Sequence, residues 1–193
     1  MVMILTSRFM LRACAMLGGS KLARLWRRDD GVAAVEFGFV AAPFFAILFA
    51  IMETALVFFA GQTLETAAAD SARLILTGQA QSQVPPLTQA TYKDAVCARI
   101  FGLFDCTKLK VDVKKYSTFA AVDLSKPVDA DGKLITNFTY DPGGPCQIVV
   151  ARLIYQFPVL LTRLGFSLAD MPDGTRLLIA TTVFRNEPYQ GSC

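Results

Sequence analysis

A long apolar run near the N-terminus is the feature that most constrains the fold of this chain. Sixteen consecutive residues, 37–52, carry no charged or hydrogen-bonding side chain, and the surrounding stretch 32–60 is nearly as apolar. About 20 apolar residues are enough for a helix to cross the hydrocarbon core of a bilayer. The run is too long for the apolar region of a cleaved secretory signal peptide, and no small-residue cleavage site follows it. We therefore predict a retained transmembrane helix over 32–60, in contact with the lipid bilayer.

The charges that flank this run predict its orientation. Residues 1–31 hold six Lys or Arg and two acids, whereas the rest of the chain holds 13 basic and 14 acidic residues. Because basic residues are retained on the cytoplasmic side of a membrane, residues 1–31 are predicted to be a cytoplasmic basic leader. Residues 79–193 would then form an extracytoplasmic domain. That domain has no excess of positive charge, so we expect no nucleic-acid binding.

Histidine, the residue type that most often serves in acid–base catalysis and metal binding, is missing from the sequence. The chain has no histidine, which excludes nucleophiles activated by histidine and removes the commonest metal ligand. The segment 129–132 has only part of an EF-hand calcium loop, and a solvated turn is the favoured interpretation. We therefore predict no enzyme activity, no catalytic residue, no cofactor and no metal.

Four of the five cysteines follow the apolar run, as expected for a domain exported to an oxidising compartment. These are Cys97, Cys106, Cys146 and Cys193, whereas Cys14 precedes the run. Their spacing contains no C-x-x-C motif, and free buried thiols are the alternative to disulfides. Proximity in sequence predicts that Cys97 pairs with Cys106 and Cys146 with Cys193, although four cysteines permit three pairings. Cys14 is expected to stay reduced.

The pattern that follows the apolar run predicts an α+β domain. A stripe of small and apolar residues continues the helix to Leu76, and Thr77-Gly78 provides a stop. This stripe can pack on the chain's own sheet or on another subunit. The later elements are expected in this order: a linker over 79–88, a helix over 92–101, strands over 109–114 and 147–157, a helix over 160–168, and a strand over 177–184. The predicted architecture is a long N-terminal helix packed on a small antiparallel sheet of three or four strands.

Two acidic residues lie within predicted elements, Asp112 in a strand and Glu53 in the transmembrane helix. Asp112 alternates with apolar residues in the strand over 109–114, which indicates the solvent side of a half-buried strand. Glu53 lies 17 residues after Glu36, about 26 Å along a helix, so the two acids can lie near opposite surfaces of a hydrocarbon core about 30 Å thick. We expect Glu53 to be an interfacial residue.

A glycine and a glutamate at the start of the helix form a further pattern. The basic leader ends at Gly31, and Glu36-Phe37 follows five residues later, directly before the apolar run. In this pattern the segment 29–78 resembles the TadE-like family, within the type IV pilin superfamily. The other residues that match are Pro43, Glu53, Gln62, Ala67, Ala68, Ala69, Ala72, Arg73, Thr77 and Gly78, and the tail residues Arg185, Glu187 and Pro188 match the closing R-x-E-P of the family. Arg185 and Glu187 are expected to form an ion pair or a turn that locks the end of the last strand.

The resemblance implies a role in a pilus. Prepilin peptidases of this superfamily cut after such a glycine, so processing between Gly31 and Val32 is expected. Glu36 and Phe37 are expected to act in assembly, Glu36 by neutralising the new α-amine of a neighbouring subunit; a simple interfacial acid is the alternative. The chain would be a minor pilin or pseudopilin of a tight-adherence pilus.

The same resemblance implies a location and partners. The chain is expected in the bacterial inner membrane, with the prepilin peptidase, other pilin subunits and the pilus assembly platform as partners. Whether it enters the fibre or only assists assembly is left open by the pattern. The alternative function is an unprocessed, membrane-anchored periplasmic interaction module of a secretion or sensing complex.

Overall fold

A computed structural model describes residues 32–100, 102–161 and 166–189 of the chain. The chain divides into two compact units between Phe49 and Ala50. Helix α1, Val32–Leu76, begins in the first unit and continues into the second. The other elements all belong to the second unit: helices α2 (Gln79–Ser82) and α3 (Gln89–Cys97), and strands β1 (Lys110–Tyr116), β2 (Ile148–Pro158) and β3 (Thr175–Arg185).

Helix α1 ends at Leu76, as the sequence predicts. Pro43 lies inside the helix without ending it, although proline removes one backbone hydrogen bond. Gly78 has a φ of 74°, in the left-handed region that glycine adopts without the steric cost of a Cβ atom. Its N–H donates to the carbonyl of Ile75 at 3.0 Å. A glycine in this conformation closes the helix and lets the chain turn away.

Strand β2 is the centre of a three-stranded antiparallel sheet with the order β1-β2-β3. Val113 of β1 lies opposite Ala151 of β2, and Leu153 of β2 lies opposite Ala180 of β3. The α+β architecture with a small antiparallel sheet is therefore confirmed, with three strands in the part of the chain that the structure describes.

The main hydrophobic core of the second unit lies between α1 and one face of this sheet. The helix contributes Val57, Ala60, Leu64, Ala67, Ala68 and Ile75, and the central strand contributes Val149, Ala151, Leu153, Tyr155 and Phe157. Each large apolar side chain buried in this way contributes about 1.5–3 kcal/mol to folding. The small-residue stripe of α1 therefore packs on the chain's own sheet.

The opposite face of the sheet is also covered. Ile154, Met171 and Leu177 form a second small core there, with Val128, Leu134 and Phe138 packed against it. Because β2 is buried on both faces, its sequence is a nearly continuous apolar run rather than an alternating one.

The helices after α1 differ in detail from the predicted ones. Helix α3 begins earlier than expected because Thr88 and Thr91 form a capping box, in which each side chain bonds the backbone N–H of the other. The linker contains the short helix α2. The helix expected over 160–168 is wrong for residues 166–168, which are not helical; residues 162–165 lie outside the described part of the chain.

Candidate membrane anchor and assembly site

The first part of α1 carries apolar side chains that no other part of its unit covers. From Ala33 to Met52 no described side chain is buried, and Phe37 and Phe39 are 71% and 78% exposed. The helix is long and apolar enough to cross a membrane, judged by length and composition. A continuous exposed apolar surface of this size is typical of a membrane or protein interface.

The residues predicted to act in processing and assembly lie at the start of this helix. Gly31 falls outside the described residues, and Val32 is the first residue of α1. Glu36 and Phe37 are both exposed. The helix therefore presents these two side chains to its surroundings, and their roles in assembly stay predictions.

Glu53 is the first buried side chain along the described part of α1, at 8% exposure. Its carboxylate accepts hydrogen bonds from the backbone N–H groups of Leu160 and Leu161, the latter at 3.1 Å and 3.3 Å to the two oxygens. Glu53 is thus covered within the protein, and its position at a membrane interface stays a prediction. A carboxylate in an apolar setting has to find donors, and here the loop after β2 supplies them. No pattern in the sequence connects Glu53 with a loop more than 100 residues away.

The C-terminal R-x-E-P segment locks the other end of α1. The N–H of Glu187 donates to the carbonyl of Leu76 at 2.9 Å, which satisfies one of the carbonyls left open at a helix end. A Cβ atom on Gly78 would lie 2.1 Å from the ring of Tyr189, so only glycine fits beneath that ring. Arg185 donates to the carbonyl of Cys146 at 2.9 Å. Of the two expected roles for this segment, the described contacts correspond to the turn that locks the strand end.

One disulfide bond joins two cysteines within the part of the chain that the structure describes. Cys97, at the end of α3, is bonded to Cys106, which precedes β1. Cys146 is also disulfide-bonded. Its predicted partner Cys193 lies outside the described residues, as does Cys14, so the second pairing stays a prediction.

Replacing both Cys97 and Cys106 by Ala should lower the free energy of unfolding by about 2–3 kcal/mol, since a short loop closed by a disulfide loses that much chain entropy in the unfolded state. Urea unfolding of the full chain in detergent micelles, followed by circular dichroism, measures this change. Cys14→Ala is the matched control and should unfold like the unaltered chain. A loss below about 1 kcal/mol in the double variant would contradict the expectation.

A buried ion pair joins β1 and β2 on the face opposite α1. Asp112 is 1% and Arg152 is 6% exposed, and Arg152 Nη2 donates to Asp112 Oδ2 at 2.6 Å. The other oxygen of Asp112 accepts the N–H of Thr139 at 3.1 Å. The guanidinium also donates to the carbonyl of Ser125 at 3.1 Å. The expectation that Asp112 faces water is wrong, because the segment after β1 folds back over this face.

The sequence of β2 contains an indication of this pair, although the alternating pattern of β1 predicts the opposite for Asp112. Arg152 is the one charged residue within β2, and a charge inside an otherwise apolar central strand requires a partner. Burial opposes ionisation of Asp112, but the hydrogen bonds that it accepts outweigh this effect and hold the pKa of Asp112 below its usual range. The carboxylate of Asp112 is therefore ionised at neutral pH.

The acidic and cysteine side chains of the described ranges do not gather into a metal site. These ranges contain no group of three or more Cys, Asp or Glu side chains that could hold a metal ion. Asp129 instead closes a turn by accepting the N–H groups of Asp131 and Lys133 at 3.0 Å and 2.8 Å. Burial raises the pKa of Tyr92 to about 12, so this phenol stays protonated at neutral pH.

One segment of the chain, which includes the exposed part of α1, matches a known protein family. Residues 31–73 match the family model described as TadE-like protein. No curated protein and no solved structure matches the chain. The match covers Glu36, Phe37 and Glu53 and ends shortly before the C-terminus of α1. Residues 31–73 of the chain are therefore a TadE-like segment, as the resemblance in the sequence pattern predicts.

Proposed function

We propose that this chain is a structural component of a bacterial tight-adherence pilus, a minor pilin or pseudopilin anchored in the inner membrane by α1. The TadE-like match over 31–73 carries this proposal. The exposed apolar stretch 33–52 supports it, because 20 residues of helix span about 30 Å, the thickness of the hydrocarbon core. The basic leader supports a cytoplasmic N-terminus, which leaves residues 79–193 as the periplasmic domain.

In this function the chain acts by assembling with other proteins and not by catalysis. A prepilin peptidase removes residues 1–31 by cutting between Gly31 and Val32. The new N-terminus and Glu36 then lie at the cytoplasmic surface of the membrane, where other pilin subunits and the assembly platform are the partners. The exposed Phe37 extends the apolar surface available to them.

The test is the N-terminus of the membrane-bound protein. In cells that express the cognate peptidase, mass spectrometry should find a chain that begins at Val32, and Gly31→Leu should leave the full-length form because the bulkier residue does not fit the peptidase. Gly61→Leu, at a glycine of the same helix where a Cβ atom meets no neighbour, is the control and should be processed normally. An intact N-terminus in the unaltered chain would contradict processing.

The second candidate function is an unprocessed periplasmic interaction module. It is favoured by the sheet after residue 73, which lies outside the match to the TadE-like family and packs on α1. An intact N-terminus together with stable membrane insertion would support this candidate over the first.

A further inference from the structure

We propose that the loop after β2 is a second membrane contact, in which Leu160 enters the lipid at the periplasmic surface and Glu53 positions it there. This inference rests on the proposed function, because it requires α1 to span the bilayer. It concerns the globular domain itself, which would lie directly on the membrane and not at the end of a water-exposed stalk.

The exposure of the side chains along α1 shows at which residue the packed domain begins. Side chains from Ala33 to Met52 are exposed or half-exposed, and Glu53 is the first buried one. Val57 and Ala60 follow at 9% and 0% exposure, on the same side of the helix. The packed domain therefore begins within the apolar part of α1, whose other side stays exposed at Leu56, Phe58 and Phe59.

Glu53 holds the loop at this level. Its carboxylate accepts the N–H groups of both Leu160 and Leu161. A loop in water can satisfy its N–H groups with solvent, but a loop in a region poor in water has to satisfy them within the protein. A buried acid that binds two consecutive backbone N–H groups is what such a location requires.

The side chains of the loop fit lipid. The loop begins with Val159, Leu160 and Leu161, none of which has a polar side chain. Leu160 is 82% exposed. A single exposed leucine is ordinary on a protein surface; this one is held beside a helix whose residues Ile51 and Met52 are 61% and 53% exposed.

The surface around Leu160 would contact the bilayer and not a soluble protein, because of the place where α1 would cross the membrane. If residues 33–52 fill the hydrocarbon core, Glu53 lies at its outer boundary and the loop bonded to Glu53 lies at the same depth. Any surface at that depth meets lipid before it meets a soluble partner. Leu160 would therefore bury its side chain among the acyl chains closest to the headgroups.

The test is the quenching of tryptophan fluorescence by brominated lipids. The full chain, with its one tryptophan Trp26 replaced by Phe, is reconstituted in phosphatidylcholine–phosphatidylglycerol vesicles whose lipids carry bromine either near the headgroup or deep in the acyl chain. Single tryptophans are then introduced as Leu160→Trp, Phe45→Trp and Leu124→Trp. Leu124 is the matched control, because it is 61% exposed but lies in the segment between β1 and β2.

We expect Leu160→Trp to lose roughly half of its fluorescence with bromine near the headgroup and less with deep bromine, since a tryptophan at the interface contacts the shallow positions. Phe45→Trp should be quenched most by deep bromine, and Leu124→Trp should not be quenched. Adding Glu53→Ala to Leu160→Trp should reduce the quenching at least twofold, whereas Glu53→Gln, which keeps an acceptor oxygen, should retain most of it.

The outcomes separate this inference from the proposed function. Quenching of Phe45→Trp without quenching of Leu160→Trp would overturn the lipid contact and leave the membrane anchor standing. No quenching of Phe45→Trp would overturn both. Quenching of Leu160→Trp that Glu53→Ala does not change, with the Cys97–Cys106 disulfide intact as a check of folding, would remove Glu53 from the positioning role.

Discussion

Replacing Glu36 by Gln should abolish most pilus output while membrane insertion and leader cleavage continue. After cleavage Val32 carries a free α-amino group, and the carboxylate of Glu36 lies four residues away in sequence. In the proposed function both groups lie at the cytoplasmic edge of the membrane in a free subunit, where they reach water. A subunit that moves into a growing fibre has to bring them into apolar surroundings, where an unpaired charge costs several kcal/mol.

The expected size of the effect follows from leaving one charge without its partner. If Glu36 of one subunit neutralises the α-amine of its neighbour, Glu36→Gln leaves that amine unpaired at a cost of about 3–5 kcal/mol. Such a cost weakens the association of subunits roughly a hundredfold or more. Gln keeps the size and the hydrogen bonding of Glu, so the variant isolates the charge.

The measurement is pilus output together with co-purification of other pilus subunits, at matched protein level. Glu65→Gln is the control, because Glu65 is an exposed acid on the same helix and lies beyond the bare apolar stretch. It should assemble normally. Normal piliation in Glu36→Gln would mean that Glu36 is an interfacial acid without a role in assembly.

Breaking the buried pair of Asp112 and Arg152 is expected to have the largest effect on folding. Arg152→Met removes the guanidinium that donates to Asp112 and to the Ser125 carbonyl. The carboxylate of Asp112 remains 1% exposed in the unaltered fold, and a buried charge that loses its partner typically costs about 3–5 kcal/mol. Lys114, whose Nζ lies 3.2 Å from Asp112 Oδ2, compensates in part, so we expect the lower end of this range.

Urea unfolding of the full chain in detergent micelles measures this loss. Lys115→Met is the control: it breaks the pair of Lys115 and Asp141, whose side chains are 52% and 46% exposed, and an exposed pair contributes about 0–1 kcal/mol. Replacing both partners, as Asp112→Leu with Arg152→Met, should recover part of the stability because no buried charge is left. Equal stability of Arg152→Met and Lys115→Met would contradict the importance of the pair.

The same pair predicts how stability depends on pH. The pKa of Asp112 is lower in the folded chain than its ordinary value, so its contribution is complete above the unfolded pKa of about 3.9 and is lost as the pH falls through the folded pKa. Arg152→Met removes hydrogen bonds that lower this pKa. The variant should therefore lose stability at a higher pH on acidification than the unaltered chain.

The sequence by itself was sufficient for the long helix α1, the central strand β2 and the TadE-like segment, because each depends on a local pattern. The apolar run fixed the length of the exposed part of α1, because a helix without polar residues over 37–52 has few alternatives. The glycine–glutamate spacing was enough to indicate the TadE-like segment, and β2 was evident from its continuous apolar residues. The end of α1 at Leu76 followed from the glycine two positions later.

Only the tertiary structure decided where the polar residues of these elements lie. Asp112 looks water-facing in an alternating strand, yet it is buried because Arg152 lies opposite it in the sheet register. Glu53 has no partner in its own sequence neighbourhood, and the loop after β2 covers it and donates two N–H groups. Periodicity reports which side of an element is apolar, but whether a charge on the other side meets water or a partner depends on segments distant in sequence. For Glu53 that segment is the loop after β2, and its identity follows from how the sheet packs against α1.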